Sequence, residues 1–491
     1  MAELRNIIIL GGGPAGLATG HEVSTHGGKV TVLERNDYVG GLCRTIHMDG
    51  YRFDLGGHRW FTKNEDLNEW FKRLMAGEIV MVNRISRIYY DRKYFYYPIQ
   101  VGDIFRKAGP VTIVHAGLAF LWAMLRQAIS NKAIVNMKEA YTAQFGSKLY
   151  DMFFRRYSEK VWGRPCEELS ADWVSQRSKG LSIWTVVQEA LLGGKNDKNL
   201  STLIDQFMYP RYGYMRIPER MAEDIRANNG DVTLGATVTG IEYKGPNRFT
   251  VRYKKGDEEH SVDGDAVVSS IPLGILARIL VPGGDENVRK AAQGLEFRDL
   301  ITVNVMLKRR QVSRDTWLYI QDSDVLFGRL HEPKNWSPDM VPDDEHTSLV
   351  LECFCSRGDH IWNMSDEEIK ERCIRDLVDK LHFVEEEEYC GAHVIRTREA
   401  YPVYDLEYAD KIATVKNFLA TFEGLHIAGR GGTFRYNNSD HSIEMGLLLG
   451  QKLLGHDVDY MAVNTEEDYH EIKTHNEPKR DRYQFRQSGT E

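Results

Sequence analysis

Runs of uninterrupted apolar residues and runs of helical spacing alternate along this chain. Residues 7–10 (Ile, Ile, Ile, Leu) and 30–33 (Val, Thr, Val, Leu) predict two buried strands, separated by a glycine turn and a stretch of helical spacing. The middle reads as strand, hairpin, strand at 232–234, 238–243, 250–253 and 266–272. Residues 425–428 predict another short buried strand, and 442–454 have helical spacing again. Between these pieces, 141–173 is helical and rich in Tyr, Phe, Arg and Trp, and 300–400 alternates strands with a charged helix around 366–380. The longest apolar run, 111–125, contains His115 and falls short of the ~18 to 20 residues that span a bilayer. It predicts a buried or mobile helix of a substrate region and no transmembrane segment, with weak membrane-surface contact as the alternative. Residues 463–491 are polar and mixed in charge, which predicts a surface helix and a frayed tail.

The glycine turn joining the first two strands carries the first chemical signal. Gly11 permits a tight turn, Gly13 lets backbone approach a pyrophosphate, Gly16 allows close helix packing, and Glu34 ends the second strand at the distance expected for a ribose-binding acid. This is a dinucleotide-binding βαβ unit, compatible with NAD or FAD. Two further glycine-rich turns follow, at Gly40-Gly41-Leu42-Cys43-Arg44 and at Asp54-Leu55-Gly56-Gly57-His58. Near the other end, Gly429-Arg430-Gly431-Gly432 aims another helix N-terminus at the same place. The expected class is α/β, α+β overall: a split Rossmann-type domain with a β-sheet plus helical substrate domain. The expected segments are 1–100, 208–300 and 415–460 for the nucleotide-binding domain, 101–207 for a helical lid, 301–414 for a substrate-binding sheet and 461–491 for the tail.

Size and composition narrow the setting. With 491 residues, 42% hydrophobic and 27% charged, the chain is an ordinary globular protein of two or three domains. A net charge of -8 with scattered basic residues gives no reason to expect a nucleic-acid partner. Six cysteines without a CxxC pair or metal-ligand spacing predict no metal site and a reduced, cytoplasmic protein, and the chain enters its first strand too early for a secretory signal. There is no internal repeat, and oligomeric state is not legible.

Two arginines from separate segments, such as Arg177 and Arg329, would suit a diphosphate, because each guanidinium gives two parallel hydrogen bonds; on the residues alone surface or ion-paired arginines are the favoured reading, and only a family resemblance singles these two out. Tyr157, Trp162, Tyr401 and Tyr436 are candidates to stack on a base or close over a sugar, with core packing as the alternative; Tyr209 and Tyr212 are evenly balanced. His58, in a glycine-flanked turn, is placed to meet a cofactor ring, with a turn histidine bonded to backbone as the alternative.

Taken together, the turns resemble the flavoprotein superfamily of amine oxidases, protoporphyrinogen oxidases and UDP-galactopyranose mutases, over nearly the whole chain. The resemblance implies FAD held by Gly11, Gly13, Pro14, Ala15, Gly16, Glu34, Arg35, Gly41, Leu42, Arg44, Gly57, His58, Val238, Gly429, Arg430, Asn438 and Ser439. Tyr157-Ser158-Glu159-Lys160-Val161-Trp162-Gly163 is similar to the mutases' Y-x-E-K-x-W-G segment, 327–334 to the segment carrying a diphosphate-binding arginine, and 429–436 to their GRxGTYRY. The mutase resemblance implies reduced FAD acting as a nucleophile on the anomeric carbon of a nucleoside-diphosphate sugar. His58, Arg177 and Arg329 would serve that chemistry, and Tyr157, Trp162, Tyr401, Tyr436 and Asn438 would contact substrate. The chain departs from the mutases at Asn438, where they carry aspartate, at His58, which follows Gly-Gly instead of Gly-Pro, and in extra segments at 100–138 and 178–206. An FAD-dependent oxidoreductase and a non-catalytic FAD-binding protein of a polysaccharide assembly remain the alternatives.

Overall fold

The computed structural model describes residues 6–97, 103, 106–129, 132–178 and 206–464. Strand Asn6–Leu10 lies at the centre of a five-stranded parallel sheet, which is why it is apolar on both faces. Lys29–Leu33 and Asp231–Thr233 extend the sheet on one side, Ala266–Ser269 and Leu425–Ile427 on the other. Helix α1, Pro14–Thr25, crosses between the first two strands and is buried along most of its length, with Pro14 at its first turn where no N–H is needed. A four-stranded sheet from Ala236–Tyr243, Phe249–Lys255, Glu258–Gly264 and Leu280–Val281 is added beside it.

The second large sheet has seven strands, in the order Tyr389–Pro402, Phe297–Leu307, Thr347–Cys355, Arg329–His331, Trp317–Ile320, Ser86–Tyr90 and Lys93–Tyr96. The last two lie inside the segment expected to belong wholly to the nucleotide domain. Ser86 pairs in register with Trp317, so the sheets do not divide at residue 100. A helical layer covers this sheet, formed by α2 (Pro110–Ile129), α3 (Met137–Tyr150), a π-helical turn at Asp151–Arg155 and α4 (Arg156–Trp162). Helix α5, Ser439–Leu453, returns to pack on α1.

Two expectations fail here. The apolar run does not stop at residue 125. It continues into a helix of 20 residues, long and apolar enough by length and composition to cross a membrane, and only Ala116 and Ala123 in it are buried. Residues 461–464 are not tail: Arg435 Nη1 donates to the carbonyls of Met461 and Val463, and Asn464 bonds Asn437. The remainder of the expected tail, and most of 178–206, lie outside the described residues.

Candidate functional site

Three of the four glycine-rich turns converge, those at residues 11–16, 40–41 and 429. Gly11 adopts φ +99°, and a Cβ there would lie 2.6 Å from Ser270 Oγ, while one at Gly16 would lie 2.3 Å from the Gly11 carbonyl oxygen. Gly13 caps α1 without any side-chain cap, and a Cβ there would meet nothing within 4 Å, so the first-turn N–H groups face open space. Gly40 N–H donates to the Gly12 carbonyl at 2.8 Å, and a Cβ on Gly41 would come 3.4 Å from Gly13 Cα, so the second turn rests on the first. Ala15 lies against Gly429, which starts the short helix Gly429–Thr433. The result is an open cradle of amide donors of the kind a dinucleotide pyrophosphate occupies.

Glu34 is buried at the edge of this cradle and already holds it together. Its carboxylate accepts from Gly12 N–H at 2.7 Å, Asn36 N–H at 2.9 Å and Asn36 Nδ2 at 2.6 Å. The Glu34 carbonyl accepts from Ala236 N–H, which brings the strand carrying Val238 alongside; Val238 is half-buried next to a bulge in that strand. Arg44 stacks on Tyr38, 3.7 Å from the ring centroid, and Arg35 is exposed.

Leu42 and Arg430 connect the cradle to a cavity of about 190 Å³ whose walls also include His58, Arg59, Arg84, Trp317, Tyr319, Arg329, Tyr401, Tyr436, Asn438, Ser439 and Asp440. His58 stacks on Tyr214 and lies 3.1 Å from the Gly56 carbonyl through Nδ1. Burial, with Arg430 and Arg329 nearby, pushes its pKa down to about 3, so the ring is neutral. A carbonyl only accepts, which places the proton on Nδ1 and leaves Nε2 as an acceptor. Gly57 is glycine because of a neighbour: a Cβ there would sit 2.1 Å from Trp317 Nε1, and that indole N–H has no acceptor among the described residues.

Arg329 stands directly across the strand pair from Glu352, a fully buried acid in the apolar strand Thr347–Cys355. Its Nε donates to Glu352 Oε1 at 2.8 Å, its Nη2 to Glu352 Oε2, and Nη2 also reaches the Tyr401 hydroxyl at 3.3 Å. Half of the guanidinium fork is committed to Glu352, and Nη1 remains the end available to a ligand. Arg430 donates to the carbonyls of Asn437 and Ala400 and lies 4.7 Å above the Tyr436 ring, which stacks on Tyr401. Arg59 lies over Trp317, and Arg84 bonds Ser86 Oγ. Asn438 caps α5 reciprocally with His441, and Ser439 Oγ bonds the Tyr214 hydroxyl at 2.6 Å.

The predicted residues therefore divide. His58, Arg329, Tyr401, Tyr436, Asn438 and Ser439 meet in the cavity. Tyr157 lies one shell behind, edge-on to Tyr319 at 5.4 Å. Trp162 does not reach the cavity: it is 3% exposed and packs edge-on against Trp173, because its position on α4 faces the core. Tyr209 is likewise buried, its hydroxyl donating to Asp54 at 2.6 Å. The helix Asp172–Ser178 carries Arg177, whose side chain lies outside the described residues. Sequence reasoning missed Arg59, Arg84, Trp317, Tyr319 and Glu352. Only Glu352 left a signal, a lone acid in an apolar strand, which needs a buried partner.

The cradle and the cavity fit one extended cofactor, with backbone amides for its diphosphate and an orphaned indole N–H, a neutral histidine and arginines for its polar ring. A family profile for flavin containing amine oxidoreductase matches residues 14–434. The solved structure of a reduced UDP-galactopyranose mutase superposes with a TM-score of 0.80 at 21% identity, over 94% of this chain and 98% of that one. A protein from Exiguobacterium sp. 255-15, described as a protoporphyrinogen oxidase, superposes with a TM-score of 0.69 at 17% identity, over 92% and 100% of the two chains. A phytoene desaturase of Fusarium fujikuroi is 46% identical over 52 residues, 11% of this chain and 9% of that protein. The chain thus spans about a tenth of the length of the curated relatives it matches first.

Proposed function

The chain belongs to the flavin containing amine oxidoreductase family, and from that premise we propose that it is an FAD-dependent nucleotide-sugar mutase interconverting pyranose and furanose forms. FAD is its cofactor. The observation that carries the reading is the charge of the cavity: Arg59, Arg84, Arg329 and Arg430 stand against the carboxylates of Glu352 and Asp440. This gathering of four guanidiniums around one cavity suits a nucleoside diphosphate ester, because each can give parallel hydrogen bonds to phosphate oxygens. It disfavours the protonated amine that an amine oxidase of the same family would admit. The fold likeness to the reduced mutase adds support without deciding the substrate.

When bound and reduced, FAD supplies the nucleophile for the anomeric carbon. The chain's own residues do the rest. Arg329 Nη1 and the other arginines hold the departing diphosphate in place for return, the stacked pair Tyr401 and Tyr436 presents an aromatic wall to the sugar, and His58 Nε2 accepts a hydrogen bond in the neutral state.

The test is incubation of dithionite-reduced protein with UDP-, GDP- and dTDP-sugars, followed by chromatography. An isomeric product formed only by the reduced form is expected. Turnover by the oxidised flavin alone overturns the reading. The second reading, an FAD-dependent oxidoreductase of a carotenoid-type substrate, draws on the likeness to a phytoene desaturase and a 1-hydroxycarotenoid 3,4-desaturase. It predicts anaerobic bleaching of the flavin by such a substrate.

A further inference from the structure

The outer side of the helical layer carries an apolar stripe that nothing in the described chain covers. α2 reaches a mean hydropathy of 1.3, against -0.44 for the whole chain. One face is taken: Ala116 and Ala123 are buried, and Gly146 of α3, at φ +76°, brings the Phe120 backbone so close that a Cβ would lie 2.8 Å from its N. The other face presents Val111, Val114, Leu118, Leu121, Trp122, Leu125 and Ile129, from 52% to 82% exposed, at steps of three and four residues. A helix apolar on both faces is stable only when both are covered.

Charge says what covers it. Residues 104–138 contain no acid and five cations, Arg106, Lys107, Arg126, Lys132 and Lys138, in a chain of net charge -8. Against the C-terminal end of α2 lies a second cleft, of about 340 Å³, lined by Arg126, Lys132 and Lys138, by Glu139 and Glu167, and by apolar Ala123 and Ile134. Glu139 and Glu167 pair with the two lysines at 3.0 and 2.7 Å, and Arg126 makes no ion pair among the described residues.

We propose that this face docks on an anionic phospholipid bilayer, with the outward stripe of α2 in the acyl boundary and the basic cleft on a phosphate headgroup. The inference does not depend on the reaction proposed above. Because the inner face of α2 is tied to α3, the helix lies along the membrane surface and does not cross it. A second copy of the chain fits less well: two α2 helices packed face to face about a two-fold axis would bring basic ends together.

The experiment is flotation of the full-length, FAD-loaded protein with vesicles of phosphatidylcholine alone or with about a third phosphatidylglycerol. The protein is expected to float with the anionic vesicles at low salt and at least about tenfold less with the neutral ones. Leu118→Ser/Leu121→Ser/Trp122→Ser should lower binding about tenfold for each large side chain removed. Arg126→Glu should weaken binding to the anionic vesicles alone. These positions lie outside the cofactor cavity, so the flavin spectrum of each variant reports intact folding. Should the triple variant lose flavin, Leu121→Glu alone makes the same test. The proposal is overturned if the protein stays out of the floating fraction, or if the variants float as well as the parent. A soluble dimer that the triple variant dissociates, with no flotation, assigns the face to a second copy instead.

Discussion

Glu352→Gln separates the two roles of the ion pair behind the cavity. Glu352 is fully buried and bonds two nitrogens of Arg329, which is itself only 17% exposed in its side chain. Removing one charge of a buried pair strands the other and costs about 3–5 kcal/mol. The amide keeps one acceptor and Arg329 keeps some solvent, so about 2–3 kcal/mol of unfolding free energy is the expected loss. The same change should act on ligand affinity with the opposite sign. A carboxylate about 6 Å behind a bound anion repels it by ~2–3 kcal/mol at an effective dielectric of about 20. Its removal should tighten binding of UDP, read by perturbation of the flavin spectrum, by on the order of tenfold to a hundredfold. The assay pairs urea unfolding of the flavin-loaded variant with that titration. A variant that loses stability and UDP affinity together would refute the argument, because Arg329 would then need Glu352 to be positioned at all. Unchanged affinity would place the anion away from Arg329.

Other outcomes follow from the same geometry. Gly57→Ala drives a methyl into the buried Trp317 indole and should cost about 2–3 kcal/mol and much of the bound flavin, seen in thermal melts and in the absorbance of the purified protein; Trp317→Phe should restore part of both. His58 and His331 are held neutral by burial, each with its pKa lowered to about 3. The unfolded chain takes up their protons first, so stability falls as pH drops below 6.5, by about 2 kcal/mol per histidine at pH 5, and is unaffected between pH 7 and 9. His58→Gln should remove one such share from the pH dependence of urea midpoints. Burial raises Asp54 to about 6 despite bonds from Thr45, Tyr209 and Tyr214, and here the sign reverses: stability falls as pH rises from 3.8 to 6, by at most about 3 kcal/mol. Asp54→Asn should therefore steepen the loss of stability on acidification.

The centre of the parallel sheet was legible because strands Asn6–Leu10 and Ala266–Ser269 are buried on both faces. Nothing polar interrupts residues 7–10, and a glycine turn followed by an acid at residue 34 has few structural uses besides a dinucleotide. Strands Ser86–Tyr90 and Lys93–Tyr96 misled for the converse reason. Their half-exposed alternation fits any antiparallel edge, and only the parallel pairing of Ser86 with Trp317, 231 positions away, assigns them to the second sheet. Helix α2 was underestimated because Arg126 ends the apolar count, while a helix carries Arg126 on its flank and continues to Ile129. Trp162 shows the limit of a motif: a segment can keep its spacing and still turn its largest side chain into the core.

The arginines give the more general lesson. Arg329 was found from a resemblance, and Arg59 and Arg84 were not found at all, because an arginine beside a histidine and another between two strands leave no periodic mark. What makes them a site is tertiary. A sheet edge, a glycine turn and the start of α5 enclose four guanidiniums in one cavity, and a single acid from the next strand neutralises one of them. That acid is visible beforehand, since a carboxylate between Leu351 and Cys353 in a buried strand calls for buried donors or a buried cation. Reading inward from Glu352 therefore locates the arginine-lined end of the cavity, just as reading outward from Gly13 locates the open cradle of amides. The walls of the cavity between them decide which substrate reaches the flavin.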